Sequence, residues 1–215
     1  MTNIVIYGAG SVGRLAEQIV SDINQVRDQF NLLGFLDDDK SKHKTIQYGT
    51  PILGDLQWLK DHPDTSIVIG FSNPKQRQQL HQKLKDSGHD RFATLIHPNT
   101  WISNRVEIGA GSIIYPGVHL DVDIRVGRFC LINKLATVGH DTSLGAFTTV
   151  SPGVNIGGHN QIGEGVEFGI NSCSIQHLTI GKWALIGAGT VIIRDVPDGA
   201  VMVGNPGKEL KRKVK

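Results

Sequence analysis

The sequence predicts two domains of different class: an α/β domain with a parallel sheet over residues 1–97, and an all-β solenoid over residues 98–215. In the first hundred residues, short apolar runs alternate with amphipathic stretches, as strands and helices of a parallel sheet do. From residue 102 onward a six-residue apolar period replaces that pattern. The glycines follow the same division, with 8 of the 26 in the first hundred residues and 18 in the remainder.

The α/β domain is predicted to begin with a strand, a glycine turn and a helix. The strand is the apolar run at residues 3–7, and Gly8, Gly10 and Gly13 follow it in a G-x-G-x-x-G turn. Apolar residues then recur at helical spacing, at Leu15, Ile19, Ile23 and Val26. Further strands are predicted at residues 32–36, 66–70 and 92–96, a short helix at 55–59, and a helix that Asn73-Pro74 begins and Gly88 ends.

The glycine turn indicates a nucleotide-type ligand. Backbone N–H groups of such a turn approach phosphate at a helix N-terminus, where the helix dipole favours anions. Asp37 follows the second strand, 24 residues after Gly13, and can accept a hydrogen bond from a ribose hydroxyl. This unit is half the size of a complete dinucleotide fold, and no nicotinamide-side domain follows it. We therefore expect a half-Rossmann-like domain that binds a mononucleotide sugar rather than NAD.

The second half of the chain has a hexapeptide repeat. Every sixth residue from Ile102 to Ile192 is apolar in fifteen of sixteen positions, Ser174 being the exception, and glycine follows nine of them. This pattern predicts a solenoid of triangular cross-section in which each hexad supplies one short strand and one corner, so that three hexads make a coil. The aliphatic side chain points inward, and glycine relieves Cβ crowding at the corner.

Charge and cysteine content exclude several classes of protein. A net charge of +2 is too balanced for a nucleic-acid binder, and the basic tail at residues 208–215 is interpreted as a solvated terminus. Cys130 and Cys173 lack metal-type spacing and are expected to be buried thiols in a reducing compartment. No apolar run is long enough to span a membrane, and the N-terminus does not resemble a signal peptide. We therefore expect a cytoplasmic protein.

The hexad frame and the ending at residues 186–207 (IGAGTVIIRDVPDGAVMVGNPG) resemble the left-handed β-helix acyltransferases of the hexapeptide-repeat family. With YGAGSVG in front and the segment from Asn133 to His140-Asp141 inside, nearly the whole chain resembles the PglD/NeuD-type nucleotide-aminosugar acetyltransferases. The resemblance implies a left-handed parallel β-helix, acetyl-CoA as co-substrate, and a homotrimer with active sites between subunits.

Acetyl transfer to an amine needs a base, and His140 is the candidate. It is predicted at a corner and Asp141 follows it, so a carboxylate could bond one ring nitrogen and leave the other as base. In the resembled family the histidine of this pair is the general base and the acidic residue its enhancer. His119 lies at a corner with no acidic neighbour. His159 and His177, 18 residues apart, stack on consecutive coils, but two ligands make a poor metal site, so we expect no metal.

The resemblance also implies the remaining site residues. Asn133 would lie near the acceptor sugar, and a backbone N–H of the Gly157-Gly158 corner would hold the oxyanion. Acetyl-CoA would contact Thr149, Ile170 and Ala188, where some relatives have His for Thr149 and Gly for Ala188. The nucleotide sugar would contact Gly10, Ser11, Val12, Asp37, Asp38 and Gly70. Val12 replaces a His that is common in the family's glycine turn.

The expected function is therefore N-acetylation of a nucleotide-activated amino-deoxysugar for surface glycans, by direct attack of the amine on the thioester. The preferred acceptor is a UDP-4-amino-4,6-dideoxy-N-acetylhexosamine of a bacillosamine-type pathway. Three alternatives stay open: O-acetylation of sialic acid, N-acetylation of a GDP- or dTDP-aminosugar, and a non-catalytic β-helix scaffold.

Overall fold

The computed structural model describes residues 1–210. The chain divides into two compact units, Met1–Pro98 and Asn99–Lys215, and each is described by itself. Most of the basic tail lies outside the described residues. At its start, Lys208–Glu209 forms a strand in which both residues are exposed. Within residues 1–210, no helix is both long and apolar enough to cross a membrane.

Unit 1 is an α/β unit in which the helices are separated by strands. Its strands and helices are β1 (Thr2–Tyr7), α1 (Ser11–Val26), β2 (Phe30–Leu36), β3 (Ile46–Gln47), β4 (Thr50–Gly54), β5 (Ser66–Ile69), α2 (Pro74–Asp86) and β6 (Leu95–Ile96). Two 3₁₀ helices, Lys40–Lys42 and Leu56–Lys60, lie between them. The sheet has the order β3-β4-β2-β1-β5, parallel except for the β3–β4 pair.

The core of unit 1 lies around β1, whose residues Ile4, Val5 and Ile6 are fully buried. The predicted helix is present as α1, but its buried face differs from the prediction. Ile19 and Ile23 are buried, whereas Leu15 and Val26 are exposed and Ala16 and Val20 are buried instead. The small side chain of Ala16 allows close packing, so the apolar face is rotated relative to the positions that the large aliphatic residues suggested.

Two other parts of unit 1 differ from the prediction. The hairpin of β3 and β4 was not predicted; its turn is Tyr48-Gly49, where both residues have positive φ, the conformation that favours glycine in two-residue hairpins. The strand predicted at residues 92–96 is reduced to β6, and Phe92 makes an isolated parallel bridge to Ile67. By contrast, Asn73 begins α2 as predicted, and its Oδ1 accepts a hydrogen bond from the Gln76 N–H at 3.1 Å.

Unit 2 is a parallel β-helix in which each of sixteen two-residue strands ends at a predicted inward position. In chain order they are β7 (Trp101–Ile102), β8 (Glu107–Ile108), β9 (Ile113–Ile114), β10 (His119–Leu120), β11 (Arg125–Val126), β12 (Leu131–Ile132), β13 (Thr137–Val138), β14 (Ser143–Leu144), β15 (Thr149–Val150), β16 (Asn155–Ile156), β17 (Gln161–Ile162), β18 (Glu167–Phe168), β19 (Cys173–Ser174), β20 (Thr179–Ile180), β21 (Leu185–Ile186) and β22 (Val191–Ile192). The unit ends with β23 (Val201–Val203) and the antiparallel β24 (Lys208–Glu209).

Strands three apart along the chain pair in parallel and form three faces. Face one contains β7, β10, β13, β16, β19 and β22; face two contains β8, β11, β14, β17 and β20; face three contains β9, β12, β15, β18, β21 and β23. The register advances by one coil of 18 residues, as in the pairing of His119 with Thr137. We number the corner that follows each face along the chain accordingly, so that corner one follows face one.

The glycines allow adjacent coils to stack closely. A Cβ on Gly139 would lie 2.6 Å from the Gly158 nitrogen of the next coil, and one on Gly127 would lie 2.6 Å from the Ala146 nitrogen. The residue that turns the chain has a left-handed φ. It comes two positions after the close-packed glycine and is often not glycine itself. At corner one it is Asp123 (φ 58°), Asp141 (φ 58°), His159 (φ 56°) and His177 (φ 61°). Glycine therefore provides space between coils, and a different position makes the turn.

Candidate active site

The glycine turn of unit 1 joins the carboxyl ends of three strands. The Gly8 N–H donates to the Leu36 carbonyl at 2.7 Å, and the Gly70 N–H donates to the Tyr7 carbonyl at 2.8 Å. Glycine is required where backbones meet, since a Cβ on Gly13 would lie 1.9 Å from the Gly8 oxygen. Gly10 differs from Gly13, because a Cβ on Gly10 would have no atom within 4 Å. This open side is the part of the turn that a ligand can approach.

The N-terminus of α1 lies beside Gly10, which caps the helix without a side-chain hydrogen bond. Ser11 is exposed and Val12 is half-buried. The first turn carries no acidic residue, so its N–H groups and the positive end of the helix dipole remain available to an anion. The side chain of Val12 is apolar, so only its backbone N–H can bind an anion.

The carboxylate of Asp37 links the glycine turn to the residues that follow β2. Its carboxylate accepts hydrogen bonds from the Ala9 N–H at 3.1 Å and the Asp39 N–H at 3.0 Å, and Lys42 Nζ lies 3.2 Å away. Burial raises the pKa of Asp37, but these hydrogen bonds and the Lys42 charge outweigh it and hold the pKa below its ordinary value. Both carboxylate oxygens already have protein partners, so a ribose hydroxyl would have to share one of them.

Sequence reasoning missed three residues beside this turn. The buried Tyr7 donates its hydroxyl to Asp38, and burial raises the pKa of Tyr7. The ring of Phe71 meets the Tyr7 ring edge-on, with the centroids 6.2 Å apart. The buried Arg77 of α2 donates to the carbonyls of Phe71 and Ser72 and holds that loop in place. The hydrophobic pattern does not indicate these contacts. Those of Tyr7 join segments that are distant along the chain, and those of Arg77 are polar contacts between a helix and the loop before it.

In unit 2, the side chains of the predicted histidine–aspartate pair are in contact at corner one. His140 Nδ1 lies 2.8 Å from Asp141 Oδ2, and both side chains are about half exposed, at 52% and 45%. Asp141 faces the ring because its left-handed φ of 58° turns the chain directly after His140. The hydrogen bond from His140 holds the pKa of Asp141 below its usual range, with the His159 and Arg105 charges acting in the same direction. The carboxylate is therefore ionised at neutral pH and binds the donor nitrogen.

Gly158 of the next coil leaves room for the other ring nitrogen. A Cβ at this position would lie 3.0 Å from His140 Nε2. Within residues 1–210, His140 Nε2 has no hydrogen-bond partner, and neither has the Gly158 N–H. Corner one thus combines a candidate base and an unpaired N–H, the two kinds of group that acyl transfer requires.

Asn160 supports this corner from inside and was missed by sequence reasoning. It is fully buried, and its amide donates to the carbonyls of Gly157 and Ile175 at 2.9 Å each. Its Oδ1 accepts from the Leu178 N–H at 2.7 Å. The coil that carries Gly158 is thereby fixed to the coil after it.

The expectation about His119 was wrong in two respects. His119 lies in strand β10 and not at a corner, and it has an acidic neighbour, since His119 Nε2 lies 3.1 Å from Asp121 Oδ1. His159 and His177 stack as expected, with ring centroids 4.6 Å apart, and His159 also lies near Asp141. Of the cysteines, Cys130 is buried as expected, whereas Cys173 is only partly buried, and both are free thiols.

The remaining predicted residues of unit 2 do not meet His140 within one chain. Asn133, Ile170 and Ala188 lie at corner three, and Thr149 begins β15 on face three, where it is buried. Ile170 is exposed, and Asn133 Oδ1 accepts from the Lys134 N–H at 2.9 Å. The predicted acetyl-CoA contacts and the predicted base therefore occupy different corners of the triangular section.

A hexapeptide-repeat β-helix with a histidine–aspartate pair at a corner, preceded by a glycine-turn α/β unit, defines a class of acyltransferase. Comparison with known proteins supports this class. Residues 3–84 match the model of the PglD N-terminal domain. GDP-perosamine N-acetyltransferase of Escherichia coli O157:H7 is 31% identical over 215 residues, covering 96% of each chain. This chain belongs to the PglD/NeuD-type acetyltransferases of the hexapeptide-repeat family.

Solved structures of similar proteins superpose on nearly the whole chain. The acetyltransferase domain of PglB from Neisseria gonorrhoeae FA1090 has a TM-score of 0.87 and 30% identity, covering 98% of this chain and 100% of that one. A histidine-to-asparagine mutant of perosamine N-acetyltransferase from Caulobacter crescentus, in complex with CoA and GDP-perosamine, has a TM-score of 0.89 and 26% identity, covering 99% and 98%. Unit 2 is accordingly a left-handed parallel β-helix, and the protein is an acetyltransferase.

Proposed function

We propose that this protein transfers the acetyl group of acetyl-CoA to an amino group on a nucleotide-activated deoxysugar, with His140 as general base. The observation that carries the proposal is the 2.8 Å contact between His140 Nδ1 and Asp141, which leaves Nε2 free over Gly158. The complexes of relatives with acetyl-CoA, or with CoA and GDP-perosamine, support both substrates.

The reaction needs no covalent enzyme intermediate. His140 Nε2 takes a proton from the attacking amine, and Asp141 compensates the positive charge that develops on the ring. The amine nitrogen forms a bond to the thioester carbon, the C–S bond breaks, and the proton passes to the departing CoA thiolate. The unpaired Gly158 N–H is our candidate donor to the oxyanion.

We assign the nucleotide half of the substrate to unit 1. The open side of Gly10 and the free N–H groups of Ser11 and Val12 suit a phosphate. Asp38 is exposed, and its partner is the buried Tyr7 hydroxyl, so it can receive a further hydrogen bond from a sugar hydroxyl. Gly70 is buried and acts by close backbone packing, since a Cβ on it would lie 3.0 Å from the Gly8 oxygen.

The acceptor is the finer part of the proposal. A UDP-linked 4-amino-4,6-dideoxy-N-acetylhexosamine is the acceptor that the sequence resemblance favours. A GDP-linked aminosugar is the second candidate, because the E. coli relative, whose alignment covers 96% of this chain, is a GDP-perosamine N-acetyltransferase. The residues of unit 1 that we assign to the phosphate and the sugar do not distinguish the two bases.

We further propose a homotrimer with shared active sites. His140 lies at corner one, whereas Ile170 and Ala188 lie at corner three. A single chain cannot place its own corner three beside its own corner one, but a neighbouring copy can. Exposed apolar side chains at corner three, Leu135 at 69% and Ile170 at 53%, fit burial against such a copy.

The test is an acceptor panel. Purified protein is incubated with acetyl-CoA and UDP-, GDP- or dTDP-linked aminosugars or free sialic acid, while CoA thiol release and product mass are recorded. We expect an N-acetylated nucleotide sugar, with one nucleotide clearly preferred. Acetylation of sialic acid oxygen alone would replace the proposal with the O-acetyltransferase alternative. No thiol release from any acceptor would favour a non-catalytic scaffold.

A further inference from the structure

Corner one contains a cluster that the acetyl transfer does not fully use. Asp141 Oδ2 is shared between two imidazoles: it lies 2.8 Å from His140 Nδ1 and 3.8 Å from His159 Nε2. One donor atom from each of these three residues lies within 4.8 Å of the others. His159 is as accessible as the other two, with 44% of its side chain exposed.

The backbone holds the three donors in this arrangement. His159 comes from the coil after that of His140, and its N–H donates to the His140 carbonyl at 2.8 Å. His159 has the left-handed φ of 56°, as Asp141 does, so both side chains project from the same edge of the corner. The ring of His159 lies 4.9 Å from the His140 ring on one side and stacks on His177 on the other. The second imidazole is thus fixed beside the base by the repeat.

Two imidazole nitrogens and one carboxylate oxygen are a ligand set that suits zinc and similar divalent transition metals. Such sites with three protein ligands keep a fourth position for water. Here the carboxylate is ionised and exposed, and neither histidine needs a backbone change to rotate its ring. Small rotations of three exposed side chains would shorten the present spacing to the distances of a metal site.

We propose that His140, Asp141 and His159 form a binding site for a divalent transition metal, and that an occupied site inhibits acetyl transfer. The His140 nitrogen that faces Asp141 is Nδ1. When Nδ1 gives its lone pair to the metal, the ring proton moves to Nε2, which then has no lone pair to accept the proton of the amine. The metal is therefore an inhibitor and not a cofactor. The binding part of this inference is independent of the acceptor, whereas the inhibition rests on the proposed function.

The binding test uses matched variants at equivalent positions. Zn²⁺ alone is titrated by calorimetry into wild type, His159→Asn and His177→Asn. Asparagine tolerates the left-handed conformation that both histidines adopt, and His177 lies in the same column but outside the cluster. We expect one site per chain in wild type, weakened at least about tenfold in His159→Asn and unchanged in His177→Asn. Equal affinity of wild type and His159→Asn would overturn the site, as would an equal loss in His177→Asn.

The inhibition test follows transfer activity in increasing Zn²⁺. Wild type and His177→Asn should lose activity and regain it when EDTA is added, while His159→Asn should resist the same Zn²⁺ concentration. Equal inhibition of all three proteins would contradict the inference. If Zn²⁺ binds as expected but no acceptor is acetylated, the metal site stands and the proposed function fails.

Discussion

His140 depends on two neighbours that act in different ways. Asp141 bonds Nδ1 and orients the ring, while Gly158 contributes only the space in which Nε2 remains accessible. The first contact follows from adjacency in the sequence. The second depends on which residue lies one coil further on, so it follows from the 18-residue register of the repeat.

Replacing Gly158 by Ala tests the importance of this space. The new Cβ would lie 3.0 Å from His140 Nε2 and displace the ring. Alanine occupies the equivalent position at Ala110, Ala146 and Ala188, so the β-helix itself accepts it. We expect kcat to fall at least about tenfold, which is less than the fall expected when the base is removed in His140→Ala. The melting temperature should be unchanged. Unchanged kcat would show that the base tolerates displacement.

Asp37 provides a pH-dependent prediction. Its lowered folded-state pKa contributes stability that is fully present above the ordinary carboxyl value of 3.8 and is lost as pH falls through the folded value. We expect Asp37→Asn to be less stable at neutral pH by about 1.5–3 kcal/mol, the range for hydrogen bonds to a charged group. The difference should shrink below pH 4, as thermal or urea unfolding at several pH values would show. A difference that stays constant down to pH 3 would mean that the carboxylate charge does not matter.

At the scale of the element, we expect two glycines of the glycine turn to have different roles, Gly13 in stability and Gly10 in ligand binding. Gly13→Ala forces a Cβ to 1.9 Å from the Gly8 oxygen, so we expect destabilisation of about 1–3 kcal/mol, as in overpacked cores.

Gly10 has open space and an extended conformation, with φ −82°, that alanine also adopts. Gly10→Ala should leave the melting temperature unchanged and weaken nucleotide-sugar binding, measured by calorimetry. Equal nucleotide-sugar binding by Gly10→Ala and wild type would remove Gly10 from the site.

The repeat unit shows how much of the fold the sequence could predict. An inward aliphatic residue in each hexad predicts both the strand positions and the coil length, because one side chain must be buried at each step. The contact between His140 and Asp141 could be predicted as well, because the two residues are adjacent and the frame places them at a corner. The α/β unit was less predictable. Ala16 rather than Leu15 lies on the buried face of α1, and the sequence pattern gives little weight to small residues.

Contacts between coils were harder to predict than positions along the chain. The spacing of His159 and His177 indicates a column, but the approach of His159 to Asp141 depends on side-chain rotamers that no periodicity encodes. The left-handed corner residues are a similar case. Non-glycine residues such as Asp141 adopt positive φ because every coil constrains the next, and local propensity alone does not predict this.

At the scale of the whole molecule, the separation of corner one from corner three predicts shared active sites. Sedimentation should give three times the chain mass of 23.4 kDa. A sharper test co-expresses two variants that are each inactive, His140→Ala at corner one and Ala188→Trp at corner three. Mixed trimers should regain part of the activity, because some sites then contain neither defect. A monomer in sedimentation, or mixed assemblies without activity, would contradict the shared site.

The most direct test of the account is the rate of CoA thiol release by His140→Ala with the best acceptor of the panel. We expect kcat to fall by about 10²–10⁴, the contribution of general-base catalysis, while calorimetry shows unchanged binding of CoA and of the nucleotide sugar. A rate near that of wild type would remove His140 as the base and contradict the central claim.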